Sequence, residues 1–141
     1  MVCIFCQNET QVTNSRYKAK SPSVWRRRAC KVCVAQFSTL ELPDYAKALD
    51  VLSQPAKKPA PFNRDKLYLS IYKSLGHRAD ALDAATALTA TIIGRLLRKG
   101  KVSEHTLQIN VVAKTTYEVL KRFDPAGANV YKTYHRNALR A

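Results

Sequence analysis

Cys3-Ile4-Phe5-Cys6 and Cys30-Lys31-Val32-Cys33 are the stretches whose residue types and spacing could do chemistry, and they hold all four cysteines of the chain. Two residues between the members of a pair let one tight turn aim both sulfurs at a single point. Two such turns complete a tetrahedral sulfur cage. Zinc accepts that geometry without redox chemistry, and four protein ligands leave no position for a reactive water. One structural Zn2+ on Cys3, Cys6, Cys30 and Cys33 is therefore expected, and the segment between the pairs is long enough for a β-hairpin and a return strand. Two disulfides, a redox pair, or cysteines buried as small apolar residues are the alternatives. Met1-Val2-Cys3 enters the first pair without the basic and apolar stretches of a secretory leader. A reducing, cytoplasmic setting is thus expected, where disulfides do not persist. A thioredoxin-like site would use one such pair beside a βαβ pattern, not two.

Trp25-Arg26-Arg27-Arg28 lies directly before the second pair. Guanidinium forks reach phosphate oxygens and guanine edges, and an indole stacks on a base or packs beneath a strand. Strand alternation places Arg26 and Arg28 on one face and Arg27 on the other. Arg16 and Lys31 are candidates to join them, which makes Arg16, Trp25, Arg26, Arg27, Arg28 and Lys31 the expected nucleic-acid contacts. A solvated charge run, with Trp25 as the core of a small module, is the plainer alternative. The whole chain leans the same way: 24 Lys+Arg against 10 Asp+Glu give a net charge of +14, an excess that suits a polyanionic partner. Residues 1–45 hold 7 basic and 3 acidic side chains, leaving 17 and 7 for the rest, so the second half carries part of the field.

These residues need elements to position them. The 141 residues, 46% of them hydrophobic, suit one ordinary domain or a metal-stapled module followed by a small helical one. The apolar runs are too short to span a membrane. Residues 1–41 read as the metal module. Strands are expected over Gln11–Tyr17, Val24–Ala29 and Gln36–Leu40, with a turn at Lys18–Ser23. Residues 42–62 read as a junction, with a helix beginning at Pro43 and an end at Val51-Leu52 that is equally tolerable as a strand. Pro55–Pro61 is expected to be a linker or extended segment.

From residue 63 onward the spacing predicts four amphipathic helices, so the class is α+β, a small β module followed by a mainly α-helical domain over 63–141. Asn63 caps the first, with Leu67, Ile71 and Leu75 four residues apart and Gly76 after its end. Asp80 caps the second, through Leu96, with Gly100 beyond. Ser103 caps the third, carrying Leu107, Val111, Val112, Val119, Leu120 and Phe123 to a stop at Asp124-Pro125. The fourth runs from about Ala126 to Leu139.

On these motifs the chain resembles the NrdR-type repressors of ribonucleotide reductase genes. The residues that carry the likeness are the two cysteine pairs, Asn14-Ser15-Arg16, Arg26-Arg27-Arg28 and Phe37-Ser38-Thr39-Leu40-Glu41, with Pro61-Phe62-Asn63 and Lys66 further on. Ala128, Tyr131, Tyr134 and Arg136 extend it through the last helix. The resemblance implies a zinc ribbon joined to an ATP-cone, a helical domain that binds ATP or dATP and sets oligomeric state and affinity for double-stranded DNA. It implies nucleotide contacts at Lys66, Tyr131 and Tyr134, and a homo-oligomer. Read on residue type alone, Lys66 is an ordinary solvated lysine and the two tyrosines are ordinary core. The chain departs from the family at Trp25, where an arginine is usual, at Gln36 and Leu40, and at the junction, where Leu52-Ser53-Gln54-Pro55 and Ala60 replace a Val-x-Lys-Arg strand and a Glu.

Catalysis has no support. His77, His105 and His135 are not at ligand spacing with cysteine or carboxylate. Asp80 and Asp83 read as helix-capping charges, four glycines supply no phosphate loop, and no nucleophile sits beside a base. A zinc-dependent DNA-binding regulator responsive to ATP or dATP is the leading expectation. A zinc-ribbon nucleic-acid binder with a degenerate cone, or a protein-interaction module, are the rivals.

Overall fold

A computed structural model describes residues 1–17, 22–53, 58–98 and 102–140. The expected turn at Lys18–Ser23 falls mostly outside the described residues, as do Pro55 and Gly100. The chain forms two compact units, Met1–Pro43 and Asp44–Ala141.

The first unit is an antiparallel sheet of three strands in sequence order, β1 (Thr10–Tyr17), β2 (Val24–Cys30) and β3 (Gln36–Glu41). β2 is central, so the arginine run is hydrogen-bonded on both sides. The β1–β2 register slips between Val12 and Asn14. Thr13 is the extra residue, and its hydroxyl donates to the Arg27 carbonyl at 3.3 Å. Such a bulge reverses which side chains face which way. Among its described residues the unit has almost no apolar core of its own: Cys3 and Cys30 are the buried hydrophobic ones. A module this poor in buried apolar surface requires a metal or disulfides for stability.

The second unit packs helices around one core and gathers a small sheet at its edge. Helix α1 (Tyr45–Ala48) leads into β4 (Asp50–Leu52), which pairs antiparallel with β5 (Ala60–Pro61) and parallel with β6 (Thr106–Gln108). Leu49 and Phe62, flanking these strands, are buried in the helical core, so much of the 42–62 segment is built into this unit. Helix α2 (Arg64–Ser74) begins as expected, with the Asn63 side chain accepting from the Lys66 N–H at 2.8 Å, and buries Leu67, Ile71 and Leu75. Helix α3 (Ala81–Leu96) buries Ala85, Leu88, Ile92 and Leu96.

The sequence and the structure differ in three places. Asp80 precedes α3 but makes no side-chain cap; both its oxygens instead accept from Arg78, at 2.8 and 2.9 Å. The third helix does not start at Ser103. Glu104 and His105 take left-handed backbone angles (φ 46° and 64°), the chain runs through β6, and α4 (Ile109–Phe123) starts after it. Leu107 therefore enters the core from a strand. The last helix is two, α5 (Pro125–Tyr134) and α6 (Arg136–Arg140), with the break at His135. Pro125 occupies the first helical position, where its missing N–H costs nothing, and Asp124 caps α5 by accepting from the Gly127 N–H at 2.8 Å.

Candidate metal centre and nucleic-acid interface

Each cysteine pair sits on a tight turn that the backbone closes. The Gln7 N–H donates to the Cys3 carbonyl at 2.9 Å, the Cys3 N–H to the Asn8 carbonyl at 2.7 Å, and the Cys30 N–H to the Ala35 carbonyl at 3.0 Å. The residue after the second cysteine of each pair is left-handed, Gln7 at φ 60° and Val34 at φ 59°. The two knuckles thus use the same bend.

The turns bring the four sulfurs within 4.8 Å of one another. Cys3 and Cys33 Sγ stand 3.6 Å apart, and Cys6 and Cys30 Sγ 3.5 Å. A disulfide would need about 2.05 Å, so these are four free thiols. Tetrahedral zinc with Zn–S near 2.3 Å places its sulfurs about 3.8 Å apart. The cluster fits zinc.

The thiols do not ionise alike. The Asn8 side-chain amide donates to Cys6 Sγ at 3.4 Å, and with the Asn8 backbone N–H it holds the Cys6 thiol down at about 6. Cys33 is favoured as a thiolate by the Ala35 N–H, yet Cys6, burial and the other sulfurs push it up to about 12. Four thiolates at this spacing repel one another unless a cation joins them.

The register makes the two faces of the ribbon sheet chemically different. One face carries the cross-strand rows Ser15–Arg26–Thr39 and Val12–Arg28–Phe37. There Arg26 donates from Nε to Glu41 Oε2 at 2.8 Å and from Nη1 to Ser15 Oγ at 3.0 Å, while Arg28 Nε donates to Thr39 Oγ1 at 3.4 Å. The hydrogen bond to Glu41, and then its charge, raise the Arg26 pKa further. Phe37 meets Phe5 of the first knuckle edge-to-face, with ring centroids 6.5 Å apart. The other face carries Arg16–Trp25–Leu40 and Asn14–Arg27–Ser38. Here the Arg16 guanidinium stands 5.9 Å from the Trp25 ring centroid. Arg27 is exposed, and Lys31 lies exposed on the second knuckle turn, off the sheet. Arg16 therefore sits beside Arg27 and Trp25, across the sheet from Arg26 and Arg28. Strand parity alone hides this pairing, because it depends on how β1 and β2 register across their hairpin.

In the second unit, Lys66 and Tyr131 line one cavity of about 270 Å3, together with Phe62 and His135. Tyr134 lines an adjoining cleft of about 650 Å3 with Asn110 and Arg136, and Ser53, Ile109, His135 and Ala138 border both. Tyr131 is 3% exposed and stacks on His135 at 4.2 Å, whereas Tyr134 is exposed. Burial raises the Tyr131 phenol and lowers the His135 imidazole, whose Nε2 shares a 2.6 Å hydrogen bond with Ser70 Oγ. Sequence reasoning missed three residues of this region: Ser70, His135 as a ring partner, and Asn110, whose buried Oδ1 has no hydrogen-bond partner. The one available signal was the four-residue spacing of Tyr131 and His135.

Among the described residues no helix is long and apolar enough to cross a membrane. Residues 1–41 match the family model described as the N-terminal domain of NrdR-like transcriptional repressors. The chain is 32% identical over 138 residues to the transcriptional repressor NrdR of Chelativorans sp. (strain BNC1), covering 97% of this chain and 86% of that one. It is 30% identical over 139 residues to the NrdR of Halorhodospira halophila, covering 95% and 86%, and 31% over 141 residues to that of Maricaulis maris, covering 96% and 84%. With a four-sulfur cluster at the end of a basic strand and this likeness along nearly its whole length, the chain belongs to the NrdR family of transcriptional repressors, regulators rather than enzymes.

Proposed function

We propose that this chain is a zinc-dependent repressor that binds double-stranded DNA through residues 1–41 and responds to ATP or dATP through residues 63–141, with 42–62 joining the two functions. The observation that carries the reading is the four-sulfur cluster at the end of a strand of three arginines, with Cys30 as the last residue of that strand. A metal at Cys3, Cys6, Cys30 and Cys33 holds β2 in register, and Arg16, Trp25, Arg26, Arg27, Arg28 and Lys31 then supply positive charge and a ring for contact with DNA. For the nucleotide, Lys66 lies at a cavity it shares with Tyr131, an arrangement of one cation and one aromatic that suits a phosphate and a base. Tyr134 offers a second ring in the neighbouring cleft. Nucleotide occupancy would alter how copies of the chain associate, and so the avidity of paired ribbons for DNA.

An electrophoretic shift with zinc-loaded protein on ribonucleotide reductase promoter DNA, against random duplex at the same salt, tests the repressor reading. Equal affinity for both would overturn it.

The burial of Tyr131 favours a second reading, in which the helical unit no longer takes nucleotide and adds its own charge to nucleic-acid binding. Calorimetry with ATP and dATP separates the two: absence of heat with metal-loaded protein supports the second.

A further inference from the structure

The three-stranded ribbon sheet has one face whose arginines are engaged and one whose polar groups are open. On the engaged face Arg26 is held by Glu41 and Ser15 and Arg28 by Thr39, and all of Arg26, Arg28, Phe37 and Thr39 are partly covered. On the open face Asn14, Arg27, Ser38 and Gln36 are exposed, and no acidic residue lies in its rows. Arginine forks pair with the O6/N7 edge of guanine and asparagine or glutamine amides with the N6/N7 edge of adenine. Strands laid in a groove present such side chains in fixed register.

We infer that the face bearing Asn14, Arg27 and Gln36 enters the major groove of duplex DNA and reads base edges, with Arg16, braced on Trp25, gripping a phosphate beside it. Arg26 and Arg28, on the opposite face, position the sheet and contribute charge without reading sequence. The inference rests on the proposal that the ribbon binds duplex DNA. The hairpin register is what makes it specific: Asn14 to Tyr17 pair with Arg27 to Val24 without a slip, which sets Asn14 opposite Arg27 and Arg16 opposite Trp25 on one face.

The test uses full-length zinc-loaded protein. A preferred site is selected from a random-sequence duplex library, and the affinities of that site and its single-base variants are measured at fixed salt. Arg27→Ala should lose about tenfold discrimination at a guanine position, and Asn14→Ala a similar factor at an adenine position. Arg27→Lys keeps the charge but not the fork, and should relax the same guanine position while the salt dependence stays put. Placing 7-deazaguanine there should weaken the wild type and leave Arg27→Ala unaffected. Arg28→Gln should lower affinity evenly across all sequences. Zinc content measured on each variant shows that the ribbon is intact. A preferred site whose base pattern survives Asn14→Ala and Arg27→Ala, or is flattened by Arg28→Gln instead, overturns this inference alone. A selection that returns no preferred site overturns the repressor reading as well.

Discussion

Arg26 and Glu41 meet across β2 and β3, Nε to Oε2 at 2.8 Å, and this carboxylate is the acid nearest the arginine run. Glu41 is exposed and Arg26 only partly covered, so the pair adds little to stability. Its larger effect is to occupy a guanidinium that would otherwise be free to meet a phosphate. Glu41→Gln should therefore raise affinity for any duplex about threefold at low salt, and steepen the slope of log affinity against log salt by up to about 0.9, one phosphate contact. A salt titration of binding to random duplex reads both. An unchanged slope would mean that Arg26 reaches no phosphate when released.

Val34 holds φ at 59°, a left-handed backbone that a β-branched side chain adopts at a cost of about 1–2 kcal/mol. The bend is forced by the knuckle, since the same position after Cys6 takes φ 60° at Gln7. Val34→Gly removes the clash and gives back part of the gain through a more flexible unfolded chain. A net stabilisation of about 1 kcal/mol is expected, seen as slower loss of zinc to a chelator. Gln7→Gly should act in the same direction by less, because an unbranched side chain tolerates the bend better.

What the sequence disclosed and what it hid follow one physical distinction. Local signals were legible: the two cysteine pairs aim sulfurs through turns of their own, Asn63 caps the helix beside it, and Leu67, Ile71 and Leu75 mark one helical stripe. Non-local pairings were not. Leu107 and Val111 are spaced as on a helix, yet Thr106–Gln108 is drawn into a strand by Asp50–Leu52, far away in the chain. In the ribbon, parity separates Arg27 from Arg26 and Arg28, but the placement of Arg16 against Trp25 depends on how β1 and β2 register across their hairpin. Asn110 and His135 face cavities formed only when α4 and α5 pack.

Gly127 lets α5 approach the C-terminal end of α2 closely. A Cβ there would stand 2.7 Å from Leu75 Cδ2 and 3.1 Å from the Ser74 carbonyl. Leu75 is fully buried and the carbonyl belongs to the backbone, so neither yields freely. Gly127→Ala should destabilise the helical unit by about 1–3 kcal/mol through overpacking, measured by denaturant unfolding. A neutral result would mean that the two helices can separate without loss.

Asp124 caps the same turn and gives the unit a pH dependence of definite sign. The Gly127 N–H, and then His77 and Arg78, at 2.9 and 3.3 Å from Oδ2, hold its carboxyl at about 2 against the opposing effect of burial. In the unfolded chain the group titrates near 3.8. The folded state thus prefers the carboxylate, so this stabilisation is complete above the unfolded value and disappears as pH falls from about 4 to about 2. Asp124→Ala should flatten that acid limb and cost about 1–2 kcal/mol at neutral pH, as loss of a helix cap does. Asp124→Asn keeps an acceptor for Gly127 and should restore part of the stability but none of the pH dependence. Thermal unfolding between pH 2 and 5 separates the three proteins.

Metal removal should divide the chain at its natural seam. The buried core of the second unit contains no cysteine, whereas Cys3 and Cys30 are the buried hydrophobic residues among those described in the first. Chelation should therefore unfold the ribbon strands and leave the helical circular dichroism within about a tenth of its value. Cys33 must give up a proton that its neighbours hold at about 12, so zinc binding releases protons and tightens as pH rises. Lowering the pH from 8 to 6 should weaken zinc binding at least tenfold, measured by competition with a chelator of known affinity. Cys33→Ser removes that proton along with a ligand, and should give weaker binding with a shallower pH dependence. Loss of the helical signal on chelation would show instead that the two units depend on each other for folding.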